Sequence, residues 1–310
     1  MDLDLGQLRA LDATVRGGTL EAAARELHVT PSAVSQRLRA LETATGRILL
    51  VRSKPVQVTE SGQAVLRLAR QVDLLGADVA RELGSAAAGG PADEAGGGTG
   101  PAPPPRLPIA VNADSMATWL LPALAPLAGE VAFDLHRDDQ EHTTALLRSG
   151  TVMAAVTAQA RPVPGCTSTR LGGMRYRPMA TPEFARRWFP DGPTARALAR
   201  APVVVFDRKD DLQHRYLHAA AGPDADPPVH YVPASADWVT AVALGLGWGM
   251  VPAPQAQAAG TALVRLDPAA AVDVVLHWQQ WKLRSPTLDR VAAAVLEAAA
   301  RELDGPSAAR

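Results

Sequence analysis

Ser32, Ser35, Gln36 and Arg39 fall at i, i+3, i+4 and i+7, so a helix that carries them shows all four on one face. Each ends in a short or planar hydrogen-bonding group. Glutamine can pair bidentately with adenine, arginine with guanine, and serine with bases or phosphates. The chemistry these residues suit is base reading in a DNA major groove. Val34, Leu38 and Leu41 form a separate core stripe on the same helix. Thr30 caps it, and Pro31 takes the first position, where a missing N–H costs nothing. A helix N-terminus of this kind, with Thr30 at its mouth, also favours phosphate. Further on, Arg52 and Lys54 sit in a turn between two strand-like pieces, Ile48 to Val51 and Val56 to Thr59. Such a β-wing offers phosphate contacts. The plainer alternatives are a solvated face on an ordinary helix bundle and two surface charges.

The elements that must hold these residues follow from apolar spacing. Leu5, Leu8, Leu11 and Val15 predict a first helix ended by Gly17-Gly18. Thr19 caps a second, with Leu20, Ala23, Ala24 and Leu27 inward, and His28-Val29 turns the chain. After Thr59 a long helix repeats Val65, Val72 and Val79 every seventh residue, with Leu68 and Leu75 between them. This short heptad pattern predicts a two-helix dimer seam, the alternative being a helix packed on its own domain. A dimer would read paired half-sites of double-stranded DNA.

The 310 residues allow about two domains. Net charge is -1, but residues 1–70 hold ten Lys/Arg against seven Asp/Glu, which tilts that part towards a polyanion. Gly84 to Pro105 has no large apolar residue and reads as a flexible linker. Beyond it, LPIAV, VAFDL, VMAAV, PVVVF and VHYV alternate with helical stretches, which predicts an α/β domain with a largely parallel sheet. The single cysteine, Cys166, excludes a disulfide framework within one chain and reads as a small buried hydrophobe. No run approaches the roughly 18 apolar residues that span a membrane. The first residues do not look like a signal peptide, so a cytoplasmic location is expected. There is no Gly-rich phosphate loop, GxSxG, HExxH or paired cysteine. No catalytic residue, metal site or cofactor is expected, and the chain does not read as an enzyme.

The stretch LRALDATVRGGTLEAAARELHVTPSAVSQRLRALETATGRILLVRSKPVQVTESG resembles the DNA-binding domain of LysR-type transcriptional regulators. The likeness lies in the AA..L.VT.SAVSQ.L..LE core and the T..G after the wing. NADSMATWLLPAL (Asn112 to Leu124), LLRSGTVMAAVTAQARPVPGC (Leu146 to Cys166), RWFPDG (Arg187 to Gly192) and APVVVFDRKDD (Ala201 to Asp211) resemble the lysine/arginine-responsive, LysG/ArgP-like subgroup. The resemblance covers nearly the whole chain except Gly84 to Pro105. It implies an α/β protein with an N-terminal all-α winged helix-turn-helix (1–58), a dimerisation helix (59–83) and a flexible linker (84–106). A two-lobed, periplasmic-binding-protein-like effector domain would follow (107–303). Lobe I would take about 107–169 and 272–303, and lobe II about 170–266. It also implies homodimers or tetramers, RNA polymerase as a further partner, and control of an exporter of basic amino acids.

In a two-lobed α/β domain, ligands sit beyond the carboxyl ends of the strands. Those ends carry Asn112, Asp114, Ser115 and Trp119, then Asp138, then Gln159. The second lobe adds Asp207, Asp211, Ser235 and Asp237. Ser115 suits an α-carboxylate, and so many aspartates suit a cation, so the expected effector is lysine, arginine or histidine. Any one aspartate could instead be a helix cap or a loop charge. Two alternatives stay open. One is a nucleoid-type DNA binder whose second domain only oligomerises. The other is a LysR-type regulator with a different small-molecule effector.

Overall fold

The computed structural model describes residues 3–51, 53–87, 104–137, 140–258 and 262–303. The chain opens with three short helices, α1 (Leu5–Gly17), α2 (Leu20–Glu26) and α3 (Pro31–Thr45). Their ends are set by side chains: Asp4, Thr19 and Thr30 accept from the amides of Gln7, Ala22 and Ala33. Gly18 closes α1 with φ of 68°, a left-handed conformation that glycine adopts without strain. Leu11, Ala23, Val34 and Leu41 are fully buried between the three helices. The wing is shorter than expected, only β1 (Leu50–Val51) against β2 (Gln57–Val58). The amide of Val56 donates to Gly18 O at 2.9 Å and ties the wing to the α1–α2 turn.

α4 (Glu60–Ala87) runs past the expected end at residue 83, because Ser85-Ala86-Ala87 still favours a helix. Gly62 is essential at its start: a Cβ there would lie 2.1 Å from Leu49 O. The helix is two-faced. Leu66 and Ala69 join the core of the first domain, and Leu74 joins that of the second. Leu68, Leu75, Val79 and Leu83 stand exposed. Val72 is half-buried, and Val65 leaves the exposed stripe to pack against the first domain.

The second domain begins with β3 (Arg106–Val111), α5 (Ala113–Ser115), a π-helical turn at Met116–Leu120, α6 (Leu121–Leu124) and a 3₁₀ turn at Ala125–Leu127. Then come β4 (Ala132–Arg137), α7 (Gln140–Ser149), β5 (Ala154–Thr157) and the long β6 (Cys166–Ala180). α8 (Pro182–Trp188), α9 (Ala195–Leu198), β7 (Val203–Val205), α10 (Leu212–Ala221), β8 (Val229–Tyr231) and α11 (Ser235–Ala243) follow. The chain then passes through β9 (Gly249–Pro252), α12 (Ala253–Ala258) and β10 (Val264–Arg265). It returns through β11 (Val272–Trp281) to α13 (Pro286–Glu302).

The sheet is mixed, which corrects the expectation of a largely parallel one. β3 pairs parallel with β4 and β5, and β7 with β8. The main sheet runs β10-β6-β11-β5-β3-β4, and β6 and β11 pair antiparallel along most of β11. One of these two strands leaves the first lobe and the other returns to it, so they must run in opposite directions. Their register shifts between Leu276 and His277, opposite Gly172 and Arg170. That bulge bends the crossing strands midway.

Candidate DNA-reading helix and effector cleft

α3 presents the expected polar face. Thr30, Ser32, Gln36 and Arg39 are exposed, and Ser35 is partly so. Beneath them Val34 and Leu41 are fully buried, so the face is held by packing on its far side. Thr30 has a structural task as well, since its hydroxyl accepts from the Ala33 amide at 3.2 Å. In the wing Lys54 is exposed, and Ser53 Oγ donates to Pro55 O at 2.6 Å, which closes the turn around it. Arg52 lies outside the described residues.

The second site forms at the end of β3. Asp114 is partly buried between the lobes. Its carboxylate accepts from Tyr176 Oη at 2.7 Å and from Ser235 Oγ at 2.8 Å. Gln255 Nε2 donates to Ser235 Oγ at 2.6 Å. The cluster therefore joins β3, β6, α11 and α12, which lie far apart in the chain. Burial pushes the Asp114 carboxyl above the usual carboxylate range, and the two hydroxyl bonds partly oppose that. Asp210 is likewise raised, first by burial, and its oxygens accept from the amides of Phe206 and Leu212. Burial and the neighbouring carboxylates hold the Tyr176 phenol well above its ordinary value. Among the described residues no arginine, lysine or histidine bonds to Asp114 or Asp210.

Among the described residues, four polar atoms on the elements of this site are buried without a partner: Asn112 Oδ1, Ser115 Oγ, Trp119 Nε1 and Gln255 Oε1. Buried groups of this kind are normally satisfied, so a set of them beside an unpaired carboxylate has the character of a ligand pocket. Two of the four can donate to a carboxylate and two can accept from a cation.

Several expected residues do not join this set. Asp211 is exposed and pairs with Arg215 on its own helix at 3.4 Å; its neighbour Asp210 is the buried one. Asp237 is exposed in the first turn of α11, where a carboxylate suits the positive helix end. The Gln159 side chain is exposed, and the residue is held through its backbone: its carbonyl accepts from Gln279 Nε2 at 2.8 Å and its amide donates to Thr157 Oγ1 at 3.2 Å. Asp207 caps its own loop by accepting from the amides of Lys209 and Asp210. Asp138 lies outside the described residues. Asp210 stands at the strand end with Asp207 and Asp211 in the sequence, whereas Tyr176 and Gln255 are the members that pattern reasoning missed. A tyrosine in the alternating run around Met174 and Tyr176 was the available signal, obscured by the Gly172-Gly173 interruption.

Comparison with known proteins agrees with both halves. Residues 5–63 match the model of the bacterial regulatory helix-turn-helix protein, lysR family, and residues 102–300 match the LysR substrate binding domain. The chain is 42% identical to the HTH-type transcriptional regulator LysG of Mycobacterium tuberculosis, over 96% of this chain and 94% of that one. It is 41% identical to the HTH-type transcriptional regulator ArgP of Pseudomonas aeruginosa, covering 90% of each. Among solved structures, ArgP from Mycobacterium tuberculosis superposes with a TM-score of 0.81 at 42% identity, covering 98% of this chain and all of that one. Full-length LysG from Corynebacterium glutamicum with bound effector Arg gives 0.71 at 35% identity, covering 97% and 100%. With both domain models matched and relatives this similar over nearly the full length, the chain belongs to the LysR family, a family of transcription regulators rather than enzymes.

Proposed function

We propose that this protein regulates transcription in response to a basic amino acid, with arginine or lysine bound across the cleft at Asp114. The carrying observation is the partly buried Asp114 carboxylate, which accepts from the Tyr176 and Ser235 hydroxyls, with Asp210 near it and, among the described residues, no cation bonded to either. A ligand with one carboxylate and two cationic groups fits this set. Ser115 Oγ and Trp119 Nε1 would donate to its carboxylate. Asp114, Asp210, Asn112 Oδ1 and Gln255 Oε1 would accept from its cations. The LysG structure with bound arginine supports the same class of effector. Relatives named as lysine export regulators support control of an amino-acid exporter.

At the other end, Ser32, Ser35, Gln36 and Arg39 would read bases and Lys54 would hold a phosphate. The exposed stripe of Leu68, Leu75 and Val79, with half-buried Val72 beside it, would pair with a second copy, so that two reading heads meet two half-sites. We divide the chain accordingly into reader (3–58), helical connector (60–87) and two-lobed sensor (106–303). The sensor's lobes meet along β6 and β11.

Calorimetry with lysine, arginine and histidine tests the effector. Binding of at least one in the millimolar range or tighter is expected, and its weakening by roughly tenfold or more in Asp114→Asn. Failure of all three to bind would refute the effector assignment and leave the DNA-reading assignment intact.

A further inference from the structure

α4 joins the reader to the sensor, and its contacts there are specific. α7 starts at Gln140, just beyond β4, on the sheet edge where β3 ends at Val111 and β5 at Thr157. Its ten residues span about 15 Å, and it ends at Ser149 near the opposite edge, beside the start of β5. One end of α7 therefore lies at the effector cleft and the other lies against α4. The last carbonyls of a helix lack partners within it and carry partial negative charge. The amides of Val152 and Gly150 cap Leu146 O and Leu147 O, and α4 bonds two further carbonyls, Arg148 O in the last turn and Gly150 O just beyond it. Arg67 Nη1 donates to Arg148 O at 2.6 Å, and Arg70 Nη1 donates to Gly150 O. Arg67 also lies over the Trp281 ring, 5.5 Å from its centroid. Gly150 has φ of +73°, and a Cβ there would lie 1.9 Å from Arg67 Cγ. The approach is closer than any side chain at position 150 would allow.

Arg70 reaches the other way too. Its Nε donates at 2.7 Å to Asp12 Oδ1, a buried carboxylate on α1 that Arg16 also holds. One guanidinium thus bonds the reader and the sensor together. Further along α4, buried Asp78 accepts from Ser285 Oγ at 2.5 Å and from Thr287, and Arg81 closes on it at 3.1 Å. Ser285 caps α13, so the far part of α4 is fixed to the sensor as well. Beside Arg70 lies a cavity of about 260 Å³ that Arg9, Asp12, Asp73 and Arg106 help to line. Asp12 and Asp73 are already paired with arginines, so the cavity has the character of a joint between domains.

We infer that Arg70, assisted by Arg67, is the positioning residue that couples the effector cleft to the reader, by holding the C-terminal end of α7. The identity of the signal rests on the effector proposed above, but the coupling does not. Coupling between two sites is reciprocal, so DNA on α3 must be felt at the end of α7.

The test uses the full-length protein. Hydrogen exchange over residues 146–152 is measured free, with a mixed-sequence DNA duplex at low salt, and with millimolar arginine. Wild type is compared with Arg70→Ala, Arg70→Lys and the pair Arg67→Ala/Arg70→Ala. In wild type, DNA is expected to change exchange over 146–152 by about fivefold or more. The pair variant should lose that response and melt lower, because buried Asp12 keeps only Arg16, while its own DNA-induced protection of α3 stays near wild type and shows that the reader is folded. Arg70→Lys keeps the charge but cannot bridge both partners, so it should lose the response too. The duplex Kd ratio with and without arginine should fall towards one in these variants, with the calorimetric arginine Kd unchanged. If wild type shows no DNA-induced change, or the pair variant keeps both the change and the ratio, the inference is overturned. A wild type that binds none of the amino acids but transmits DNA occupancy to 146–152 removes the effector assignment and upholds the coupling.

Discussion

Asp114 concentrates the chemistry of the sensor into one side chain. It is partly buried and, among the described residues, is bonded by the Tyr176 and Ser235 hydroxyls alone; on the function proposed above, its charge meets a cationic ligand. Asp114→Asn keeps the shape and removes that charge. It should cost about 1.5–3 kcal/mol of effector binding by calorimetry, as expected for a hydrogen bond to a charged group. Thermal stability should hold or rise, because a buried unpaired charge is lost. The pH dependence has a definite sign. Burial raises the Asp114 carboxyl, so the folded chain binds this proton more tightly than the unfolded chain does. The burden on stability is full above the raised pKa and fades as pH falls through it towards the ordinary carboxylate value. Effector binding requires the ionised form, so affinity should fall over the same interval, with proton release seen in buffers of different ionisation enthalpy. On α3, Gln36→Ala and Arg39→Ala should each cost about 1–3 kcal/mol at a specific site and little on random duplex. Equal loss on both would reassign these side chains to phosphate. Lys54→Ala should weaken all sequences alike and reduce the salt slope by about 0.9.

At the scale of elements, α4 does three jobs with three faces. Leu66 and Ala69 close the reader core, Arg67, Arg70 and Asp78 bind the sensor, and Leu68, Leu75 and Val79 remain open to a second copy. Leu75→Asp alters only the open face and should leave a folded chain whose sedimentation coefficient falls to that of a smaller species. An unchanged sedimentation profile would exclude this stripe as the dimer seam. Gly62→Ala should act differently. Its Cβ would collide with Leu49 O, so the wing and the start of α4 must part, and melting temperature should fall with the dimer seam intact. Of the residues that heptad spacing picks out, Leu68, Leu75 and Val79 are exposed, Val72 is half-buried and Val65 packs on the reader. The spacing does not show the polar face that grips the sensor, because arginines at positions 67, 70 and 81 look like solvated charges until a carbonyl or carboxylate is placed opposite them.

At the scale of the whole molecule, the design is a reader and a sensor with one helix between them. The sensor's two lobes share the crossing strands β6 and β11, and its ligand cluster draws on both lobes and the crossing strands. A reader tied to lobe I through α4 can respond only to changes that reach that lobe, and α7 spans it from cleft edge to connector.

What the sequence by itself determined is what local periodicity and capping encode. The three reader helices, their caps at Thr19 and Thr30, the glycine stop at Gly18 and the polar face of Ser32, Ser35, Gln36 and Arg39 are all written within a few turns of chain. So are β3, β5 and β7, whose apolar runs are continuous. The tertiary structure alone decided which acid is buried, Asp210 rather than Asp211, and which distant side chains meet Asp114. Tyr176 and Gln255 sit 62 and 141 positions away, and no spacing rule links them to it. It also decided that the sheet is mixed, because the strands that cross between lobes pair with segments about a hundred residues distant. Local pattern fixes which face of an element is apolar. Only packing fixes which polar groups are stripped of water together, and in this protein that desolvation makes the effector cleft.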